Sequence, residues 1–503
     1  MKRWVFLIAV ASLFSCSHPA LPPDTVAIGM ETDPAALDPR YAADAASVNV
    51  CKLIYAGLFR RDAKMEMRPW LAESVAQKNP LTYRIRIRPG IRFHDGRPLT
   101  SADVRYTIES ILSGKQGASP VKSSLGEVVS VETPDPLTVE VRLKKPFAPF
   151  IRNLTFGIVP EGSGDLSAHP VGAGPFRFAS RERGKELALA RHEGYFLKKP
   201  SLAGVLFKVV PDETVRLLEL KKGNIHIVTS PITPAVLPWL EQQEGITVMR
   251  KPGTNVAYLG FNMKDKYLSD ARVRRAIAHA IDREAITRHL LKGLAEKTET
   301  VIAPVNPFHE PNLAPHEYDP ALAMRLLDEA GLTAREGKPR MTLEYKTSKN
   351  QLRRKIAEVI AEYLGKVGIA VRIKSFEWGA FYGDIKTGNF QMFSLTWVGV
   401  DDPDVMHFMF HSKSLPPDGA NRGGYANPAL DALLAKGQTE ADVAKRKRIY
   451  GEAQRIAAED LPYVTLWTQV NVAAVDRRVK GFEVYPDESF DALETASVQN
   501  GER

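Results

Sequence analysis

Short apolar runs and runs that alternate apolar with polar residues recur along the chain. Residues 26–30 form a short apolar run, which predicts a buried strand. Residues 81–88 and 139–143 alternate apolar and polar side chains, as a strand with one solvent-facing side does. These segments predict strands spread over the first third of the chain.

The second half of the chain contains the clearest helical patterns. Apolar residues recur at helical spacing over residues 270–288, 320–330 and 352–367. A glycine follows each of the last two ranges, as at a helix C-terminus. A strand is predicted over residues 369–373, directly after the second of these glycines. Strands that alternate with helices predict an α/β fold with open, mostly parallel sheets.

Length and composition indicate an ordinary multidomain globular protein. With 503 residues the chain is too long for one hydrophobic core, so two or three domains are expected. A hydrophobic fraction of 44% and a charged fraction of 25% are typical of globular proteins. The net charge of +9 is spread along the chain without the basic block, interleaved with aromatic residues, that a nucleic-acid partner requires. No nucleic-acid partner is therefore predicted.

An export signal is predicted at the N-terminus. Lys2 and Arg3 precede a short apolar run that ends at Cys16 and is too short to remain as a transmembrane helix. The last four residues of this signal, which spans residues 1–16, resemble the bacterial lipobox, in which the cysteine is diacylated. Residues 17–25 then form a Pro-rich tether. The alternative is an ordinary secretory signal with an incidental cysteine.

The second cysteine, Cys51, has no disulfide partner if Cys16 carries lipid. It lies among apolar residues, so it is predicted to be a small buried hydrophobe. Stability must then come from the core.

Motifs for enzymatic chemistry are missing from the sequence. There is no H-E-x-x-H, no G-x-S-x-G and no G-x-x-x-x-G-K-[ST]. The glycine cluster at residues 172–176 contains Pro175, which removes a backbone N–H that a phosphate cradle would use. We therefore predict no catalytic residue, no cofactor and no enzyme; a surface-attached hydrolase is a remote alternative that rests on scattered carboxylates and histidines.

Two histidines provide the one candidate for metal binding. His407 and His411 are four residues apart and would share a helix face, with Asp401, Asp402 and Asp404 close in sequence. The more ordinary interpretation is a partly buried helix with locally bonded imidazoles, so no metal site is predicted.

Aromatic residues stand beside predicted strands. Trp378, Trp397 and Trp467 each lie at or near a strand end. In open α/β sheets ligands bind in crevices outside the strand ends, and aromatic side chains line such pockets. The alternative for each is a place in the core.

Ordered motifs resemble one known family. Residues 93–104 are similar to the F-x-D-G-x-P-x-T-A-x-D-V signature of the extracellular solute-binding proteins, family 5, the peptide- and nickel-type receptors of ABC importers. Residues 172–176 resemble that family's G-T-G-P-F segment, and residues 261–263 and 270–283 resemble its F-N and D-x-R-V-R-x-A-I-x-x-A-I-D-R segments. The resemblance extends from about residue 26 to the C-terminus.

The resemblance implies a two-lobed periplasmic-binding-protein fold of type II, with an extra inserted domain and a hinge between the lobes. Three parts are expected: lobe I (residues 26–53, 171–255 and 470–503), a side domain (residues 54–170) and lobe II (residues 256–469).

The resemblance also implies the function. The protein is expected to capture a peptide or peptide-like solute between the lobes and to deliver it to the permease subunits of an ABC importer. A nickel chelate or another small solute is the alternative ligand. A monomer is expected, on the periplasmic or cell-surface side and lipid-anchored to the membrane.

Candidate ligand-binding residues follow from the same resemblance. The strand that ends at Trp397 and the loop around Ala43, Asp44 and Ala45 are expected to pair with the ligand backbone. Gly399 follows that strand. Arg354, with Arg353 or Lys355 beside it, is expected to meet a ligand carboxylate. Positions that match the pocket lining more loosely are Asn255, Tyr258 and Trp467.

One position departs from the pattern of peptide receptors. An aspartate that binds the peptide ammonium is expected shortly after Trp397, but Val400 occupies that position and Asp401 follows it. The loop is one residue shorter, a spacing closer to that of nickel-type members. A shift of one residue on a strand would point Asp401 to the opposite face.

Overall fold

The computed structural model describes residues 22–499, except residues 116, 118 and 230. The predicted signal, its Cys16 and residues 17–21 of the tether lie outside the described residues. In the part of the chain that is described, no helix is long and apolar enough to cross a membrane.

The first half of the chain spans segments that the sequence predicts as lobe I and the side domain. Lobe I begins with β1 (Thr25–Met30) and α1 (Ala45–Ile54). The side domain contains β2 (Phe59–Arg61), β3 (Met67–Pro69), β4 (Ala72–Asn79), β5 (Thr82–Ile87), α2 (Ser101–Ser113), β6 (Val128–Asp135), β7 (Thr138–Leu143) and α3 (Phe150–Asn153). Lobe I continues with β8 (Phe176–Glu182), β9 (Glu186–Arg191), β10 (Gly204–Val209), α4 (Glu213–Lys222), β11 (Ile227–Thr229) and α5 (Leu237–Glu241).

The second half spans the segment that the sequence predicts as lobe II and, after residue 469, the last segment predicted as lobe I. After β12 (Ile246–Phe261) come α6 (Ala271–Ala280), α7 (Arg283–Ala285), a π-helix (Ile286–Leu290), β13 (Ala295–Lys297), α8 (Pro320–Glu329), β14 (Met341–Ser348), α9 (Gln351–Lys366) and β15 (Ile369–Phe376). The chain ends with α10 (Trp378–Thr387), β16 (Met392–Trp397), α11 (Val405–Phe410), α12 (Pro428–Thr439), α13 (Val443–Asp460), β17 (Tyr463–Asp476), β18 (Val479–Lys480) and β19 (Ser497–Val498).

One large sheet runs through both lobes in the order β15-β14-β16-β12-β17-β11-β1-β10-β9-β8, with β13 added to β17. Strands β1 and β14 pair in parallel with their neighbours, as predicted. The central pairs β12–β16, β12–β17 and β11–β17 are antiparallel. Strand β9 also pairs antiparallel with β8 and β10, as does β13 with β17. The prediction of a mostly parallel sheet is therefore wrong, because antiparallel pairs outnumber parallel ones, both at the centre, where two long strands cross between the lobes, and at the β8 edge.

The long strands β12 and β17 make the hinge of the two-lobed fold. Their first section pairs Ile246–Pro252 with Val470–Asp476, and their second pairs Val256–Gly260 with Tyr463–Thr468. The pairing shifts register between Pro252 and Val256. Because the pairing is interrupted there, the two sections of sheet can change their relative angle without breaking either section.

Helices pack on both faces of the large sheet in lobe II and bury its apolar side chains. In lobe II, the core on one face includes Ile277 of α6, Leu327 of α8 and Ile360 of α9. The core on the other face includes Phe381 of α10 and Tyr450 of α13. The side domain has its own four-stranded sheet, β4-β5-β7-β6, with a core that contains Ile85 and Ile108.

Local sequence signals account for several elements. The Asp103 carboxylate accepts hydrogen bonds from the backbone N–H (2.7 Å) and the hydroxyl (3.0 Å) of Thr100, which fixes the start of α2. Cys51 is 4% exposed, which confirms the prediction of a buried residue. Burial raises the pKa of its thiol, with Asp38 and Asp44 adding to the effect.

The helix predicted over residues 270–288 is wrong as one element. It breaks at Ile281, and Asp282 caps a new turn by accepting a hydrogen bond from the backbone N–H of Ala285 at 2.8 Å. The break allows Arg283 to turn into the core, where it is 2% exposed. Apolar periodicity does not reveal it, because the pattern continues across the break.

The glycines of residues 172–176 are required by a close approach to α1. A Cβ on Gly172 would lie 2.1 Å from the carbonyl oxygen of Ile54, and one on Gly174 would lie 2.5 Å from that of Leu53. The segment therefore packs directly on the C-terminal backbone of α1.

Replacing Gly172 with alanine is expected to lower the free energy of unfolding by about 3 kcal/mol, because the backbone of α1 must shift to admit the methyl group. Gly164→Ala is the control, since its Cβ would meet no described atom within 4 Å. Thermal melts of both variants check the prediction, and equal melting temperatures would contradict it.

Candidate functional site

A cavity of about 450 Å³ lies between the lobes, beside the hinge. This volume is within the range of small-molecule sites. Lobe I supplies one wall, lobe II the other, and the hinge strands the floor. Its lining includes Ile232, Pro234, Asn471 and Glu488 from lobe I, Asn350, Leu352, Arg353, Ile356 and Thr396 from lobe II, and Asn255, Trp467 and Gln469 near the hinge.

Asn255 connects the hinge to the loop after β16. Its Nδ2 donates to Oε1 of Gln469 at 3.0 Å, and its Oδ1 accepts from the backbone N–H of Gly399 at 2.9 Å. Trp467 lines the same cavity and is 4% exposed. Gly399 has φ +65°, a left-handed conformation that suits glycine. The structure thus brings three predicted site residues, Asn255, Gly399 and Trp467, into one neighbourhood.

Tyr258 lies on the opposite face of the sheet and does not line this cavity. Its ring stacks on Tyr463, with centroids 4.2 Å apart, and its hydroxyl accepts a hydrogen bond from Nη1 of Arg422 at 3.0 Å. Burial raises the pKa of this hydroxyl. Side chains alternate along β12, so Asn255 and Ala257 face the cavity while Tyr258 faces the core.

Strand β16 presents backbone to the cavity. One edge pairs with β12 from Met392 to Trp397, whereas on the other edge β14 pairs only with Met392 and Phe393. Among the described strands none pairs with the second edge of residues 394–397. The Trp397 ring itself packs against Tyr258 and under the Arg422 guanidinium, 5.0 Å from its centroid. Ser394, Leu395 and Thr396 of this strand line the cavity, whereas the Trp397 indole does not.

Of the basic residues at the start of α9, Arg353 rather than Arg354 lines the 450 Å³ cavity. Its guanidinium lies 5.3 Å from the Trp378 ring centroid and forms no ion pair with any carboxylate of the described residues. Burial lowers its pKa. Arg354 is 54% exposed, lines an adjoining open cavity of about 860 Å³ and is 4.0 Å from Glu358.

Asp401 contacts the side domain. Its Oδ2 is 3.2 Å from Nη1 of Arg61, and its carbonyl accepts from Nη2 of Arg152 at 3.3 Å. Asp402 beside it is 2.7 Å from both Nε of Arg152 and Nη2 of Arg446. Burial raises the pKa of the Asp401 carboxyl, an effect that Arg61 opposes. The contacts of Arg61 and Arg152 join the side domain to the loop after β16, whereas Arg446 comes from α13.

Replacing Arg61 with glutamine is expected to open the ligand-free protein and to weaken ligand affinity about fivefold. The pair is mostly buried, and the loss of about 1 kcal/mol shifts the population away from the closed arrangement. Small-angle X-ray scattering should show a larger radius of gyration. Arg68→Gln is the control, because Arg68 pairs with Asp62 and Glu66, which are close to it in sequence, and not with any carboxylate of lobe II among the described residues. Unchanged scattering by the Arg61 variant would refute the prediction.

The early loop does not reach this cavity. Asp44 is the N-cap of α1 and accepts a hydrogen bond from the backbone N–H of Ser47 at 2.8 Å, while Ala43 and Ala45 are exposed. None of the three lines the 450 Å³ cavity. Their predicted contact with the ligand backbone stays a prediction.

The carboxylate of Asp431 lies near the histidine pair, with its Oδ1 3.9 Å from Nδ1 of His411. The rings of His407 and His411 lie 4.4 Å apart, and burial together with His411 lowers the pKa of His407 to about 4. Asp404 instead accepts a hydrogen bond from the hydroxyl of Tyr450. Within residues 22–499, apart from the three omitted positions, no group of three His, Cys, Asp or Glu side chains could hold a metal ion.

Glu488 was not predicted from the sequence, yet it lines the cavity. It has φ +59°, unusual for a residue with a side chain. Burial, reinforced by Asp487, raises the pKa of its carboxyl to about 6. No motif or periodicity marks this position, because the surrounding segment is irregular.

A two-lobed fold with a ligand-sized cavity at the hinge defines a solute-binding protein. The family described as bacterial extracellular solute-binding proteins, family 5 Middle, matches residues 66–416. The chain therefore belongs to the family 5 bacterial extracellular solute-binding proteins, a family of binding proteins rather than enzymes.

Individual relatives agree with this assignment. The chain is 26% identical over 452 residues to the dipeptide-binding protein of Escherichia coli (strain K12), and the matched region covers 84% of each chain. It is 27% identical over 505 residues to the glutathione-binding protein GsiB of Salmonella paratyphi A, which covers 97% of each. The solved structure of the ABC transporter substrate-binding protein CtaP from Listeria monocytogenes has a TM-score of 0.84 and 26% identity, over 95% of this chain and 99% of its own.

Proposed function

We propose that this protein captures a short peptide or peptide-like solute between its lobes and delivers it to the permease of an ABC importer. The observation that carries the proposal is the cavity itself, which combines an unpaired Arg353 with the free backbone edge of β16. A peptide offers both complements, a terminal carboxylate and backbone N–H and C=O groups. The relatives that bind a dipeptide and glutathione support this ligand class.

The proposed mechanism is closure about the hinge. A ligand that contacts Arg353 on lobe II and backbone or side chains on lobe I favours the closed arrangement, because only that arrangement makes both sets of contacts. The ion pair between Arg61 and Asp401 adds to closure from the side domain. Asn255 couples the loop after β16 to the hinge, since it forms hydrogen bonds with both Gly399 and Gln469.

The predicted division into lobe I, side domain and lobe II is part of the proposal. Separate hydrophobic cores in each part support it, while the hinge strands contribute to more than one core. We also propose that Cys16 carries lipid and holds a monomer at the membrane surface. The signal-like sequence of residues 1–16 supports this part of the proposal.

Mass spectrometry of acid-extracted protein, purified from cells grown in peptide-rich medium, tests the ligand class. We expect a population of short peptides at close to one per protein chain. Metal analysis of the same sample tests the alternative, that the ligand is a metal chelate. A metal chelate or another small solute at that stoichiometry, with no peptide, would overturn the proposal.

A further inference from the structure

Glu488 stands on the lobe I wall of the cavity, across from the lobe II residues that include Arg353. Its backbone is fixed from two sides. Its N–H donates to the carbonyl of Tyr485 at 3.0 Å, and its own carbonyl accepts from Nδ2 of Asn49 at 3.1 Å. The left-handed backbone is thus held in place by α1 and by its own loop.

The carboxylate of the neighbouring Asp487 has bonding partners in the protein, whereas that of Glu488 has none among the described residues. Asp487 is 2.7 Å from Nζ of Lys52 and accepts a hydrogen bond from the backbone N–H of Ser489 at 3.1 Å. The carboxylate of Glu488 makes no hydrogen bond or ion pair with any residue of the described chain. Successive acids therefore have different surroundings, one bonded to α1 and one facing the cavity.

The charges of the cavity are balanced but separated. Among the described lining residues, Arg353 is the one cation and Glu488 the one anion, and they belong to opposite lobes. A partly buried charge without a partner is unfavourable, so each is retained most readily where a ligand supplies its complement. A ligand with a carboxylate at one end and an ammonium at the other would satisfy both at once.

The residue expected from the sequence to bind an ammonium is otherwise engaged. Val400 is 1% exposed, and Asp401 is paired with Arg61 of the side domain. Asp401 also does not line the 450 Å³ cavity. Neither Val400 nor Asp401 therefore presents a carboxylate to the cavity.

We propose that Glu488 binds the ammonium group of the ligand, so that lobe I binds the cationic end and Arg353 of lobe II the anionic end. This inference rests on the proposed function, since it takes the ligand to be a peptide or peptide-like zwitterion. It gives lobe I a direct ionic contact that stabilises closure. It also predicts that acetylating the N-terminus of a peptide weakens its binding because the ionic contact with Glu488 is lost.

The probe is a pool of synthetic tripeptides of mixed sequence, offered with free N-termini or N-acetylated. Equilibrium dialysis against the ligand-free full chain, followed by mass spectrometry, measures retention of each pool. Wild-type protein should retain the free pool at least tenfold better than the acetylated pool. Glu488→Gln should lose this discrimination and bind both pools with the lower affinity.

Asp401→Asn tests the competing carboxylate: it should keep the preference of the wild type for free N-termini, although it should bind both pools more weakly because the ion pair with Arg61 is lost. Circular dichroism and thermal melts confirm that both variants are folded. If the Glu488 variant still discriminates, or if the Asp401 variant alone loses discrimination, the role of Glu488 is refuted while peptide binding stands. If wild-type protein retains neither pool, the proposed function fails and the role of Glu488 fails with it.

Discussion

Replacing Arg283 with methionine is expected to lower the free energy of unfolding of lobe II by about 3–5 kcal/mol. Nη1 of Arg283 donates to the carbonyls of Thr298 (3.1 Å) and Thr465 (2.8 Å). Nη2 donates to the carboxylate of Glu299 at 2.7 Å and to the carbonyl of His316 at 2.6 Å. Methionine fills much of the space but leaves these acceptors unsatisfied and Glu299 without its main cation.

Urea unfolding followed by tryptophan fluorescence measures the loss. Arg275→Met is the control, because Arg275 is exposed and its guanidinium donates to the carbonyl of Glu459 at the long distance of 3.3 Å. We expect the control to change stability by less than about 0.5 kcal/mol. Equal midpoints for the two variants would show that Arg283 does not stabilise the fold.

The effect of Arg283→Met should also depend on pH. Burial alone would raise the pKa of Glu299, but hydrogen bonds and charge from His316 and Arg283 lower it from 4.5 to about 2. A carboxyl with a lowered pKa adds stability above its unfolded value, and this contribution is lost as the pH falls toward the folded value. The stability difference between wild type and variant is therefore expected to shrink between pH 5 and pH 3.

Replacing Arg353 with glutamine is expected to weaken binding of peptides with a free C-terminus by about 30- to 160-fold. A charge-assisted contact in a partly buried site contributes about 2–3 kcal/mol to such binding. C-terminally amidated peptides should bind the variant and the wild type almost equally. The loss should therefore depend on the ligand carboxylate.

Arg354→Gln provides the comparison within the same helix turn. Arg354 is 54% exposed, lines only the adjoining open cavity and is expected to change affinity less than twofold. Isothermal titration of both variants with a tripeptide retained by the wild type gives the two dissociation constants. A greater loss for the Arg354 variant would mean that the sequence-based assignment of Arg354 was right.

Family and fold could be predicted because their signals are local and ordered. Thr100 with Asp103 marks a helix start, and the glycines of residues 172–176 mark a place where two backbones meet. Both depend on a few neighbouring residues, so they are visible in a single sequence. The two-lobed fold was implied by the family that these ordered motifs resemble.

The site could be predicted only in part, because the spacing of residues in the sequence does not fix which way each side chain points. One residue along a helix turns a side chain by about 100°, which separates Arg353 from Arg354. One residue along a strand reverses it, which places Tyr258 in the core although Asn255 faces the cavity. Glu488 lies in an irregular segment whose position depends on packing against α1, so no local pattern could reveal it.

The order of strands in the large sheet affects how the chain can fold as it is synthesised. Strand β11 of lobe I pairs on one side with β1 and on the other with β17, which is made almost last. Until residues 463–476 emerge from the ribosome, that edge of β11 has no partner and the lobe I core lacks Ala473 and Val475. Such long-range pairing is slow, and an unpaired strand edge is prone to wrong contacts. The N-terminal lobe is therefore expected to be the last to acquire its native structure, and the intermediate before it the most susceptible to aggregation.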